Sequence, residues 1–186
     1  ITQIDYRMSH SNFRPFIFVL PLLVGTLTSC QNDVKNDGIT KRPEVETVCE
    51  LKLIGQQFRW TIWYPGLDGI FGKNDRLNAN ETNPVGLDLS DPNSKDDRII
   101  SAGDFHLIEH QKYRFYITSW DVIHSAYFPH FRAQMNAVPG METTLELETT
   151  LSTEAYRSQL RADQPDSFAK HFEYRLMCNR ICGGAH

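Results

Sequence analysis

Apolar residues fall on every second position in several short stretches of this chain. From Val45 to Leu53 they take odd positions, at Val45, Cys49, Leu51 and Leu53, which is the period of a half-buried strand. After Gly55 the alternation resumes, with Phe58, Trp60, Ile62 and Tyr64 on one face and Arg59, Thr61 and Trp63 on the other. Tyr113, Phe115 and Ile117 alternate with Arg114, Tyr116 and Thr118, and Leu145 and Leu147 repeat the pattern between Thr144 and Thr149. Phe172, Tyr174 and Leu176 then run in step into Cys178. Residues 152–161 lack Gly and Pro and open on Ser152 and Thr153, both good N-caps, so one short helix is expected there. Several short strands with turn signals between them predict an all-β sandwich or barrel. Cys49, on the apolar side of its strand, is expected to be a small buried hydrophobe.

Two stretches break this pattern. Residues 66–98 are rich in turn residues (Gly66, Gly69, Gly72, Asn83-Pro84, Gly86, Asp91-Pro92) and read as a long loop insertion. Its Asp88, Asp91, Asp96 and Asp97 are expected to form a solvated acidic surface, with docking of a basic partner as the alternative. At the other break, Arg14 precedes the apolar run Pro15–Leu27, which ends in Thr28-Ser29-Cys30. A basic flank and about 13 mostly apolar residues fit a signal-peptide core and fall short of the ~20 needed to span a bilayer. Leu27-Thr28-Ser29-Cys30 resembles a bacterial lipobox, which implies cleavage of residues 1–29 and lipidation of Cys30. Met8 is a candidate start within that segment. Residues 30–44, with the polar run Gln31–Gly38, then form a tether, and 45–186 the folded domain.

The charge balance narrows the partners. A formal net charge of −4 argues against nucleic acid, and removing residues 1–29 leaves the chain acidic. Four cysteines are too few for a disulfide scaffold at 186 residues. Two of them stand in the terminal stretch Cys178-Asn179-Arg180-Ile181-Cys182-Gly183-Gly184-Ala185-His186, which gathers two thiols and an imidazole in one tight loop. That donor set suits copper, and equally zinc or an iron–sulfur cluster; a Cys178–Cys182 disulfide would use the same atoms. Another ligand must come from elsewhere. Of the seven histidines, His124 has the best setting, because Ser119–Ser125 follows directly on a strand, as a loop at a sheet end would.

At this point a family resemblance emerges. Gln57-Phe58-Arg59-Trp60 and Tyr64-Pro65-Gly66-Leu67-Asp68-Gly69 resemble the opening of the soluble domain of bacterial cytochrome c oxidase subunit II. Asn83-Pro84-Val85-Gly86-Leu87-Asp88 with Asp96-Asp97 is similar to that family's insertion. Asp121–Ser125, Pro129–Arg132, Ala137–Met141 and the terminal Cys-x3-Cys-x3-His follow in the family's order, so the resemblance covers roughly residues 48–186. It implies a cupredoxin-like Greek-key β-sandwich holding a binuclear CuA copper centre. Cys178 and Cys182 would bridge the coppers, His124 and His186 would each bind one, and the Arg180 carbonyl would be a weak ligand. It further implies a non-catalytic electron-entry subunit of an oxidoreductase complex. Electrons would come from cytochrome c through Phe58, Trp60 and Asp121 and pass to haem in oxidase subunit I, at the periplasmic face of the bacterial inner membrane. A lipid-anchored CuA carrier, or a copper-binding chaperone not docked to subunit I, is the alternative.

The chain departs from the family's pattern at several positions. Phe58 replaces the exposed tryptophan of the Gln-Trp-x-Trp pattern, which moves electron entry toward Trp60 and leaves Phe58 as an entry or a core aromatic. Arg180 replaces a glutamate and Asn136 an aspartate, which argues against the family's magnesium site and for weakened contacts with subunit I. The family's axial methionine, three residues beyond His186, and its closing strand are expected parts of the domain that these 186 residues do not include. The two transmembrane helices that precede the family's soluble domain are replaced here by the lipobox segment.

Overall fold

The computed structural model describes residues 2–4, 47–101 and 103–184. Alternating strands build two sheets. In chain order the strands are β1 (Thr2–Ile4), β2 (Val48–Gln56), β3 (Arg59–Tyr64), β4 (Arg98–Ile100), β5 (Gln111–Ser119), β6 (His124–Phe128), β7 (Ala133–Ala137), β8 (Thr143–Thr149) and β9 (Tyr174–Cys178). One sheet has the order β4-β3-β2-β5-β8 and the other β1-β9-β6-β7. Among the described strand pairs only the central β2–β5 is parallel, with Leu51 opposite Phe115 and Leu53 opposite Ile117; the others are antiparallel. The result is a cupredoxin-like β-sandwich.

The main core lies between the sheets. The predicted odd-numbered residues of β2 and β5 point inward: Leu51, Leu53, Phe115 and Ile117 are buried against Ala126 and Phe128 of β6 and Leu176 of β9. Each large apolar side chain removed from water in this way stabilises the fold by roughly 1.5–3 kcal/mol. Cys49 is buried with them, as expected.

β3 departs from simple alternation. Trp60 and Ile62 face the main core, but Thr61 and Trp63 on the opposite face are equally buried. The cover is the 66–98 insertion, whose Val85 and Leu87 close a second core with Ile54, Trp63 and Trp120. The Lys52 ammonium lies over the rings of both Trp63 and Phe71, 4.6 Å from each centroid. The expectation of a solvated acidic loop holds for Asp88 and Asp96, which are exposed, and is corrected for Asp91, which is buried, and Asp97, which is half-buried. Asp97 accepts hydrogen bonds from Gly66 N (3.2 Å) and Gly72 N (2.8 Å), and Asp96 accepts from Leu67 N and Asp68 N. Asp91 accepts from Lys73 N at 2.8 Å, and Asp88 from Ser90 N at 2.9 Å. These carboxylates satisfy backbone donors of a segment that has little ladder of its own, which is why the loop can hold one shape. Gly86, at φ +64°, fits because a Cβ there would fall 1.9 Å from the Asp75 carbonyl oxygen.

The predicted helix is present as α1 (Thr153–Asp163), and Ser152 caps it by accepting from Ala155 N at 3.3 Å. A second short helix, α2 (Asp166–Lys170), follows and was not anticipated. Among the described residues no helix is long and apolar enough to cross a membrane. The apolar run Pro15–Leu27, the proposed cleavage point and Cys30 lie outside the described residues.

Candidate metal centre

The register of β6 against β9 builds the site. Ala126 pairs with Cys178, and antiparallel partners share a face, so His124, two residues back, projects on the same face as Cys178. His124 thus opens a strand rather than standing in a loop beyond one. Asn179 N donates to the Ser125 carbonyl at 3.1 Å and carries the pairing one step past β9. The chain then curls back at Arg180 and returns Cys182 to the same pocket.

Three side chains converge there. The ligand atoms of His124, Cys178 and Cys182 all lie within 4.8 Å of one another. Cys178 Sγ is 3.9 Å from Cys182 Sγ and 3.9 Å from His124 Nδ1, and 3.3 Å from the Arg180 carbonyl oxygen. The two sulfurs stand at nearly twice the ~2.05 Å length of a disulfide, so Cys178 and Cys182 are not bridged in this structure. Burial pushes the Cys182 thiol above its ordinary pKa, and the neighbouring Cys178 adds to the shift. His186 lies outside the described residues.

The imidazole is held on its far side. His124 is only 2% exposed, and its Nε2 is 2.7 Å from Asp121 Oδ1. Asp121 also accepts from Gln57 N (2.6 Å) and Val122 N (2.7 Å). Partial burial raises the Asp121 pKa, but these hydrogen bonds outweigh it and hold the carboxyl below the usual range. An ionised acceptor at Nε2 fixes the tautomer with Nδ1 unprotonated and facing the thiols, the arrangement that orients a metal-binding histidine. Trp60 meets the imidazole edge-on at 5.9 Å, and Arg76 of the insertion donates to the Trp120 carbonyl beside the Asp121–His124 turn.

The three expected electron-entry residues occupy different settings. Phe58 is 53% exposed, so it is a surface residue and not a core aromatic. Trp60 is 6% exposed and lies behind it, against His124. Asp121 is engaged with the imidazole and the Gln57 backbone. Val122, Ile123 and Ile181 are exposed apolar side chains beside the site. Gln57, quoted above only as part of a motif, is a functional neighbour that the sequence pattern does not single out: its Nε2 donates to the Cys182 carbonyl.

This fold and this donor set define the class: a cupredoxin-like domain with a thiol–imidazole site at one end of the sandwich. No family model matches the chain. It is 34% identical over 137 residues to the alternative cytochrome c oxidase subunit 2 of Bradyrhizobium diazoefficiens, a match covering 74% of this chain and 43% of that protein. To the cytochrome c oxidase subunit 2 of Thermostichus vulcanus it is 28% identical over 87 residues, covering 47% of this chain and 20% of the relative. The chain therefore spans less than half the length of these curated relatives. Among solved structures, the periplasmic domain of cytochrome oxidase subunit II from Bradyrhizobium japonicum aligns with a TM-score of 0.42 at 19% identity, over 74% of this chain and 76% of that one. A mixed-disulfide intermediate between a thioredoxin-like protein and subunit II of cytochrome c oxidase aligns at a TM-score of 0.35 and 21% identity, over 55% and 62%. By sequence the domain is similar to the corresponding part of cytochrome c oxidase subunit II.

Proposed function

We propose that the chain is an electron-transfer domain that holds a binuclear copper centre of the CuA type. Cys178 and Cys182 would bridge the metals, His124 and His186 would complete the strong ligands, and the Arg180 carbonyl would bind weakly. One observation carries this reading: two unbridged cysteine sulfurs 3.9 Å apart lie beside the Nδ1 of a buried imidazole whose Nε2 is held by Asp121. Thiolate and imidazole are the soft donors that suit copper. A copper pair held there would supply one-electron transfer. The chain's own residues do the rest. β6 and β9 hold His124 and Cys178 at fixed separation, Asp121 orients the imidazole, and the second core steadies the turn that carries both.

Electron entry would use Phe58 as the surface contact and Trp60 as the ring against His124. Exposed Val122, Ile123 and Ile181 offer an apolar rim for a redox partner. The donor would be cytochrome c and the acceptor haem in oxidase subunit I, with the domain on the periplasmic side of the membrane. The first test is copper titration of the full chain. Two coppers per chain, a purple product and a seven-line EPR pattern are expected; a colourless protein that binds zinc stoichiometrically would sink the reading. Stopped-flow mixing with reduced cytochrome c then tests the donor, and failure to reduce the centre would favour a copper chaperone. Mass spectrometry of the unreduced protein reads Cys30: a lipid adduct supports the anchor, and a bridge from Cys30 to Cys49 excludes it.

A further inference from the structure

The hairpin that joins β2 to β3 touches both halves of the site through a single residue. Gln57 stands at its tip, between Gln56 at the end of β2 and Arg59 at the start of β3. Its backbone N–H donates to Asp121 Oδ2 at 2.6 Å, on the carboxylate that holds His124. Its side-chain Nε2 donates to the Cys182 carbonyl at 2.5 Å. The strand end below is shaped for the same purpose. A Cβ at Gly55 would come within 3.0 Å of both His124 Cδ2 and the Trp60 ring. A Cβ at Gly183 would come 2.8 Å from Gln57 Nε2, and its φ of +151° is one that side chains resist.

Asn179 ties the start of the cysteine loop to β6, through Ser125 O and through Gln134 Oε1 at 3.3 Å. Gln57 ties its far end to the hairpin. We propose, resting on the copper reading above, that Gln57 is a positioning residue that sets Cys182 against His124. Its backbone fixes the histidine arm and its amide fixes the cysteine arm, so the two arms share one anchor. A ligand set held this way needs less rearrangement to accept metal and releases it more slowly.

The test replaces only the amide. Gln57→Met keeps length and bulk, removes the side-chain donor, and leaves the backbone bond to Asp121. In the reduced, metal-free full chain, Cys182 should react with a thiol reagent about fivefold faster, the loss of one ordinary hydrogen bond. After copper loading, release to a chelator should accelerate by a similar factor and the EPR hyperfine pattern should change. The melting temperature should stay where it is. Gln57→Glu, which offers only an acceptor to the carbonyl, should act in the same direction. Thiol reactivity and copper release unchanged in both variants would overturn the proposal, as would loss of folding in both, which would make Gln57 a structural residue. The metal-free measurement stands apart from the function itself: wild-type chain that forms no copper centre defeats the copper reading, while the thiol rates still decide Gln57.

Discussion

The two arms of the site are built on different terms. The histidine arm belongs to the fold: His124 begins a strand, its ring is buried, one nitrogen is bonded to Asp121, and Trp60 closes over it. The cysteine arm leaves the fold after Cys178. It crosses an exposed turn in which Ile181 is 86% accessible, and it returns to a buried Cys182 that Gln57 ties to the hairpin. Packing holds the first arm, while the second leans on hydrogen bonds at its two ends. Perturbing the core should therefore move histidine, and perturbing the hairpin or loop should move the thiols.

Changes to a thiol give the largest effect. Cys182→Ser should abolish the purple centre while leaving the melting temperature of the metal-free chain nearly unchanged, since Cys182 lies on the arm outside the sheet. A preserved copper spectrum would break the comparison at its root. Next comes the support of the histidine arm. Trp63→Ala removes the centre of the second core and should cost about 3–5 kcal/mol of stability, read by urea denaturation. A loss below about 1 kcal/mol would mean that the insertion is only loosely seated on β3.

Asp121→Asn sharpens the contrast further. Asparagine has one carbonyl oxygen for the donors that now approach both carboxylate oxygens, so the imidazole loses its fixed orientation. Metal affinity should fall roughly 10–100-fold by competition with a chelator. Thiol reactivity of the metal-free chain should change less than in the Gln57 variants, because the amide bond from Gln57 to the Cys182 carbonyl is retained; an equal gain in reactivity would show that the arms are not separable.

The smallest effect serves as a control away from both arms. His130 stands against Phe172 and Tyr174, and burial, followed by the Arg175 charge, lowers its pKa below 6.5. With a depressed folded pKa, the unfolded chain takes up the proton first. Stability from this group is full above about pH 6.5 and falls as pH drops through that value toward the folded pKa. Urea midpoints of the metal-free chain between pH 7.5 and 5 should show this slope, and His130→Gln should flatten it. An unchanged slope would assign the acid sensitivity to other groups.

Several strands were legible in the sequence because one face of each meets the core and the other meets water. Leu51 and Leu53, Phe115 and Ile117, and Tyr174 and Leu176 carry that period openly. β6 and β7 were not legible as strands. β6 is buried on both faces over Ser125 and Ala126, and β7 does alternate, but over five residues with two alanines among its three inward positions, which is too weak an apolar signal to stand out. The burial of the insertion was also hidden. Val85 and Leu87 are few among turn residues, and nothing in a local pattern tells an aspartate that bonds backbone from one that faces water.

Residue type and spacing marked the terminal cysteines as metal donors, because ligand softness is a local property of side chains; His124 stood out by its setting, and its pairing with them was implied by the family resemblance. What the sequence by itself determined is a β-sandwich with a thiol–imidazole site at the end of its last strand. The tertiary structure alone decided how that site is held: which imidazole nitrogen faces the thiols, that Asp121 is a support for His124, and that Gln57 reaches both arms. Those facts depend on hydrogen bonds between residues 64 and 125 positions apart, Gln57 to Asp121 and to Cys182. Only the closed fold brings such partners together, so no window of sequence contains them.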